Sequence, residues 1–139
     1  MRPITRACLL CIAGAALATA PLSSQTEKPH PLTMPLGCAQ GDCPLLNGAP
    51  QTAGMHSGIV RLQPGETAGW HTTGMNEEAL VVLHGEGKSL IDDRFGGQPG
   101  LSFVAPALAC IPLATRHNVT NTGKDPLEYE YVVAPAKEP

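Results

Sequence analysis

Punctuation restricts this chain more than any other feature. Between Ser57 and Ala134, glycine, proline, asparagine or aspartate closes every apolar run before it reaches helical length. The runs extend from Ser57 to Gln63, Ala68 to Thr73, Glu78 to His84, Gly87 to Ile91, Leu101 to Ala105, Cys110 to Ile111, Arg116 to Thr120 and Leu127 to Ala134. Glycine permits backbone angles that other residues avoid, and proline removes a ladder donor, so runs this short read as strands joined by tight turns. With fifteen glycines, fourteen prolines and no helical period, the expectation is a single all-β domain, a sandwich or barrel. The polar segment from Asp92 to Gly100 is the natural loop between two halves.

The first 24 residues have another character. Arg2 and Arg6 precede an apolar run from Ala7 to Ala18 and then small residues, the layout of a secretory signal peptide. The run falls short of the roughly 20 residues that a spanning helix needs, which disfavours a membrane anchor. Leu9 and Leu10 stand before Cys11 where lipidation signals carry small residues, so lipidation is not expected. Export, to a periplasm or beyond, is the expected location. Loss of the leader removes two arginines from a chain of formal charge −3, leaving no basic footprint for nucleic acid or anionic lipid and no membrane partner after processing.

Residues 25–56 read as an N-terminal arm, with the folded unit expected over residues 57–135. Within the arm, Cys38 and Cys43 flank Gly41. In an oxidising compartment two thiols this close are expected to close a small disulfide loop; the alternative, a metal knuckle, has only His30 and Asp42 to complete it.

Side chains alternate across a strand, so His71 and Thr73 share one face, as do Glu78, Leu80, Val82 and His84 on the next run. His117 shares its face with Thr115 and Val119. If these faces are interior, two imidazoles and one carboxylate converge. That set suits a divalent transition ion such as Fe, Mn, Cu, Ni or Zn and leaves coordination positions open.

The same residues carry a family resemblance. Gly65-x5-His71-x-Thr73-x4-Glu78-x6-Gly85 resembles the first motif of the cupin superfamily, and Pro112-x-Ala114-x2-His117-x3-Asn121 resembles its second. The resemblance implies a small cupin-type barrel, also called a double-stranded β-helix or jelly roll. It implies metal ligation by His71, Glu78 and His117, turns at Gly65 and Gly85, and a strand corner at Pro112. Three positions depart from the pattern: Thr73 replaces a second histidine, Pro106 an opening glycine, and Ala114 an internal glycine.

The functional expectation is a metal-dependent enzyme acting on a small molecule, dioxygenase-like first and an isomerase or lyase otherwise. A non-catalytic module that binds or senses a ligand or metal is the alternative. Thr73, His84 and Cys110 are the candidates for orienting substrate; for Cys110 a buried structural role is the competing reading, and for His84 a strand-end position. Trp70 faces away from His71 and is expected outside the barrel or at a contact between two copies. Tyr129 and Tyr131 alternate along a closing strand and read as core, and a homodimer through the sheets is compatible with either function.

Overall fold

A computed structural model of the protein describes residues 28–92 and 100–136. The signal-peptide reading of residues 1–24, and most of the loop after Asp92, lie outside the described residues. Among the described residues nine strands run in chain order: β1 (Gly41–Asn47), β2 (His56–Leu62), β3 (His71–Thr72), β4 (Asn76–His84), β5 (Glu86–Ile91), β6 (Leu101–Val104), β7 (Ala107–Ile111), β8 (Arg116–Asn121) and β9 (Leu127–Pro135). They form a five-stranded sheet in the order β1-β2-β9-β4-β7 and a four-stranded sheet in the order β3-β8-β5-β6, every pairing antiparallel. No helix appears among the described residues. All eight strands expected from Ser57 onward are present, with ends shifted by a few residues.

The folded unit starts earlier than the expectation at Ser57. Residues 41–47 form β1, which pairs with β2 from Gly41 opposite Arg61 to Asn47 opposite His56. Pro44 and Gly41 disguise this strand in the sequence. At the edge of a sheet, however, a proline costs no ladder bond if its missing N–H faces outward. Cys38 and Cys43 are disulfide-bonded, with Cα atoms 5.6 Å apart, so the expected covalent loop closes directly onto this strand.

The two sheets meet over a core of alternating inward residues. Val60, Leu62, Leu80, Val82, Ala109, Ile111, Leu127 and Tyr129 come from the larger sheet, and Phe103 and Val119 from the smaller. Each fully buried aliphatic side chain is worth about 1.5–3 kcal/mol in apolar surface removed from water, so this cluster is what holds the sheets face to face. Gly85 connects β4 to β5 at φ 80°, and a Cβ there would lie 2.6 Å from the Pro126 carbonyl oxygen, so the turn admits only glycine.

Alternation also corrects Cys110. It lies between buried Ala109 and Ile111 on β7, and its side chain is therefore on the outer, exposed face as a free thiol, neither buried nor lining the barrel. Asn118 on β8 is buried, and its Oδ1 accepts a hydrogen bond from the Gly69 N–H at 2.9 Å.

Ala114 stands where the motif carries glycine, and the backbone explains the preference. Its φ is 56°, in the left-handed region, and its N–H donates to the Gly74 carbonyl at 2.7 Å, so the turn conformation is retained despite the Cβ. A residue other than glycine pays about 1–2 kcal/mol there, partly offset by glycine's larger unfolded-state entropy. Ala114→Gly is expected to stabilise the protein by about 0.5–1 kcal/mol, read as a shift in the urea midpoint without change of slope.

Candidate metal centre

Each candidate donor is placed by a local constraint. After β2 the chain turns at Pro64 and Gly65 and runs back along β8: Ala68 N–H donates to the Val119 carbonyl at 2.9 Å, and Thr73 N–H to that of Thr115 at 3.2 Å. His71 thereby comes directly opposite His117 in the β3–β8 ladder. Residues opposite each other share a face, and the two rings meet edge to face with centroids 4.2 Å apart. Glu78 arrives from the other sheet, on β4, inward like Leu80 and Val82.

The result is a convergent set. His117 Nε2 lies 3.4 Å and His71 Nε2 3.8 Å from Glu78 Oε2, and one donor atom from each of the three residues lies within 4.8 Å of the others. Two ligands bound about 2.1 Å from one ion at octahedral or tetrahedral angles stand about 3.0–3.4 Å apart, close to what these side chains already adopt. Nδ1 of His71 faces the Gly69 carbonyl at 2.9 Å and Nδ1 of His117 that of Thr115 at 3.4 Å. A carbonyl only accepts, so both rings carry their proton on Nδ1 when neutral and turn an Nε2 lone pair toward Glu78. His117 is fully buried, and its Nε2 has no hydrogen-bond partner. A buried polar atom without a partner is costly, and an ion ligated by that nitrogen removes the cost. The residues therefore fit a transition ion.

Electrostatics reinforce the set. Burial opposes ionisation of Glu78, but the two imidazoles beside it, His117 ahead of His71, hold its carboxyl down at about 2. The His71 imidazole is pushed up from its ordinary value, chiefly by the Glu78 carboxylate facing it and against the opposing effect of burial. Burial raises the hydroxyls of Tyr129 and Tyr131, the latter to about 12 with the negative charge of Asp42 and a hydrogen bond to it, so both stay protonated hydrogen-bond donors.

Beside the donors opens a cavity of about 500 Å³, walled by Val60, Leu62, Trp70, His71, Thr73, Asn76, Glu78, Tyr129, Tyr131 and Val133, with Asp42 at its β1 side. Trp70 is half exposed as its alternation implies, stacks 4.7 Å from the Arg116 guanidinium, and still lends the cavity one wall. Thr73 lines the same cavity, but its hydroxyl is already committed: it donates to the Pro112 carbonyl at 2.8 Å and accepts from the Thr115 N–H at 3.0 Å. Its work in this structure is to join the turn after β3 to the corner before β8.

His84 is not part of the site. Strict alternation from Glu78 turns it inward, but the β4–β9 register shifts between Val82 and His84, and the ring is exposed beside a separate surface depression with Glu86, Lys124 and Asp125. Cys110, outward on β7, is likewise absent from the cavity wall. The residues that sequence reading missed are Asp42, Tyr129 and Tyr131. The tyrosines belong to the core as their alternation implies and line the cavity as well; Asp42 is weighed in the sequence only as a possible partner of the two cysteines.

Two antiparallel sheets packed face to face, with two histidines and a glutamate that could hold an ion at one end of their core, define a cupin-type barrel. The sequence profile of the Cupin domain family matches residues 58–134, and the chain belongs to that family. No curated protein sequence matches it significantly. Among solved structures it is similar to a cupin domain from Schizosaccharomyces pombe, with a TM-score of 0.58 at 15% identity over 68% of this chain and 64% of that one. It is also similar to an RmlC-like cupin family protein with a double-stranded β-helix fold from Methanocaldococcus jannaschii, with a TM-score of 0.57 at 21% identity over 68% and 78%. A third likeness, to oxalate decarboxylase from Bacillus subtilis, has a TM-score of 0.52 at 22% identity and covers 56% of this chain but only 20% of that one. At these identities the likeness is one of fold.

Two predictions follow from the geometry. Thr73→Val leaves the Pro112 carbonyl and Thr115 N–H without their partner and is expected to cost about 1–3 kcal/mol of stability, whereas Thr73→Ser restores most of it; urea titration checks both. In the metal-free protein a proton on His71 competes with the ion, while Glu78 stays ionised. Zn²⁺ affinity should therefore fall by about tenfold per pH unit once the pH drops below the raised pKa of His71, as measured with a competing chelator.

Proposed function

We propose that this protein is an exported metal-dependent enzyme acting on a small molecule, dioxygenase-like in type, with His71 Nε2, His117 Nε2 and Glu78 Oε2 holding one divalent transition ion. The observation that carries this reading is the buried, partnerless Nε2 of His117 facing Glu78 and His71 at the edge of a cavity of about 500 Å³. When bound, such an ion supplies Lewis acidity and open positions for water, oxygen or a chelating substrate atom.

The chain's own residues do the rest. Glu78 cancels one of the two charges of the ion, so the centre keeps a net positive charge that favours an anionic or enolate-forming group of the substrate. Val60, Leu62 and Val133 present an apolar wall that excludes water from that group, and Tyr129 offers a protonated hydroxyl to it. The Cys38–Cys43 disulfide supports export, because such bonds persist in oxidising compartments.

A second reading is favoured by one observation. With the Thr73 hydroxyl committed to backbone, no imidazole beyond the ligands lines the cavity among the described residues to act as general acid or base, which suits a module that holds a ligand without converting it. Elemental analysis and a turnover screen separate the two. The purified protein is expected to carry close to one transition ion per chain, with His71→Ala and His117→Ala each losing at least tenfold in affinity, and to consume oxygen or product-forming substrate only when loaded. Full metal loading of His117→Ala would overturn the metal centre. A loaded protein inert toward phenols, diketones, thiols and sugars would favour the binding module.

A further inference from the structure

We propose that Asp42, carried to the cavity by β1 and held there by the Cys38–Cys43 disulfide, is a specificity-determining residue that selects ligands bearing a protonated amine at the end away from the metal. This rests on the metal-centre reading above and adds the chemistry of the substrate's far end.

Asp42 lies outside the matched family region, on the strand that the sequence disguises. It is paired with Val60 across the β1–β2 ladder, so the two side chains share a face, and Val60 lines the cavity. The backbone at Asp42 is constrained from both sides. Cys43, the next residue, is covalently tied to Cys38, and the ladder to β2 continues through Ile59 and Gly58. The carboxylate is exposed at the cavity's rim beside the Tyr131 hydroxyl, which its negative charge helps to keep protonated. Tyr131 is itself seated by Gly58 opposite it on β2: a Cβ there would lie 2.5 Å from the phenol oxygen.

Charge supplies the selectivity. Among the described residues, no lysine or arginine lines the cavity, and its carboxylates are Asp42 and Glu78. Glu78 is engaged by the two imidazoles, so Asp42 is the charge left for a ligand. A molecule that chelates the ion with an oxygen pair meets a positive centre at that end and a negative rim at the other. A protonated amine there gains, and a carboxylate there is repelled. At a partly solvated site the difference is worth roughly fivefold to tenfold in affinity for each of these, and it shrinks with added salt.

The test uses the full chain loaded with redox-silent Zn²⁺ and two catechol probes that share a chelating end and differ at the far end, dopamine and 3,4-dihydroxyphenylacetate. Dopamine is expected to bind the wild type at least about fivefold more tightly. Asp42→Asn should abolish that preference while keeping Zn²⁺ stoichiometry, and a Cys38→Ser, Cys43→Ser double variant should weaken it in the same direction. Equal affinities in the wild type, or a preference that survives Asp42→Asn, would overturn the role of Asp42 with the metal centre intact. A double variant with the full wild-type preference would overturn the part assigned to the disulfide. If the wild type binds no Zn²⁺, the metal-centre reading fails and this proposal fails with it.

Discussion

Glu78 is an ionised carboxylate inside a protein, and everything around it is arranged to make that tolerable. A buried charge without a partner costs several kcal/mol, so a barrel that keeps one must supply compensation across the gap between its sheets. Here the carboxylate comes from the five-stranded sheet and both imidazoles from the four-stranded one. The contact therefore depends on how the sheets pack, and the packing is set by the apolar cluster of Leu80, Val82, Ile111, Val119 and Leu127 beside it. Core and site occupy successive positions of the same strands: on β4, Glu78 is followed on the inward face by Leu80 and Val82.

The replacement of a motif histidine by Thr73 has a structural counterpart. The hydroxyl spans the turn after β3 and the corner before β8, fixing the two segments that carry His71 and His117 relative to each other. The position thus contributes to holding the two histidine-bearing segments together. Three donors would leave coordination positions open on an ion that they held.

The cavity draws on more of the chain than the family motif does. β1 extends the larger sheet beyond the matched region, and the disulfide anchors its start, so Asp42 reaches a site whose metal donors all lie within the matched barrel. The arrangement separates two tasks. Residues of the family pattern could hold an ion, whereas a segment outside the matched region shapes what lies beside them.

Much of this was legible in the residues themselves. Strand positions followed from Gly and Pro punctuation because those residues act locally on backbone angles, and the spacing of His71, Glu78 and His117 carried the donor set. Alternation correctly turned Glu78, Leu80 and Val82 inward and, applied without interruption, misplaced His84, because a bulge is a property of two paired strands and not of one. Cys110 was misjudged for a related reason: its face depends on where β7 begins. β1 was hidden because an edge strand can hold a proline that a central strand cannot. Local chemistry thus determined the fold class, the strands and the identity of the donors. Only the packing of one sheet on the other decided that the donors meet, that Thr73 is engaged elsewhere, and that Asp42 and the two tyrosines share their cavity, since each of these depends on distances between segments far apart in the chain.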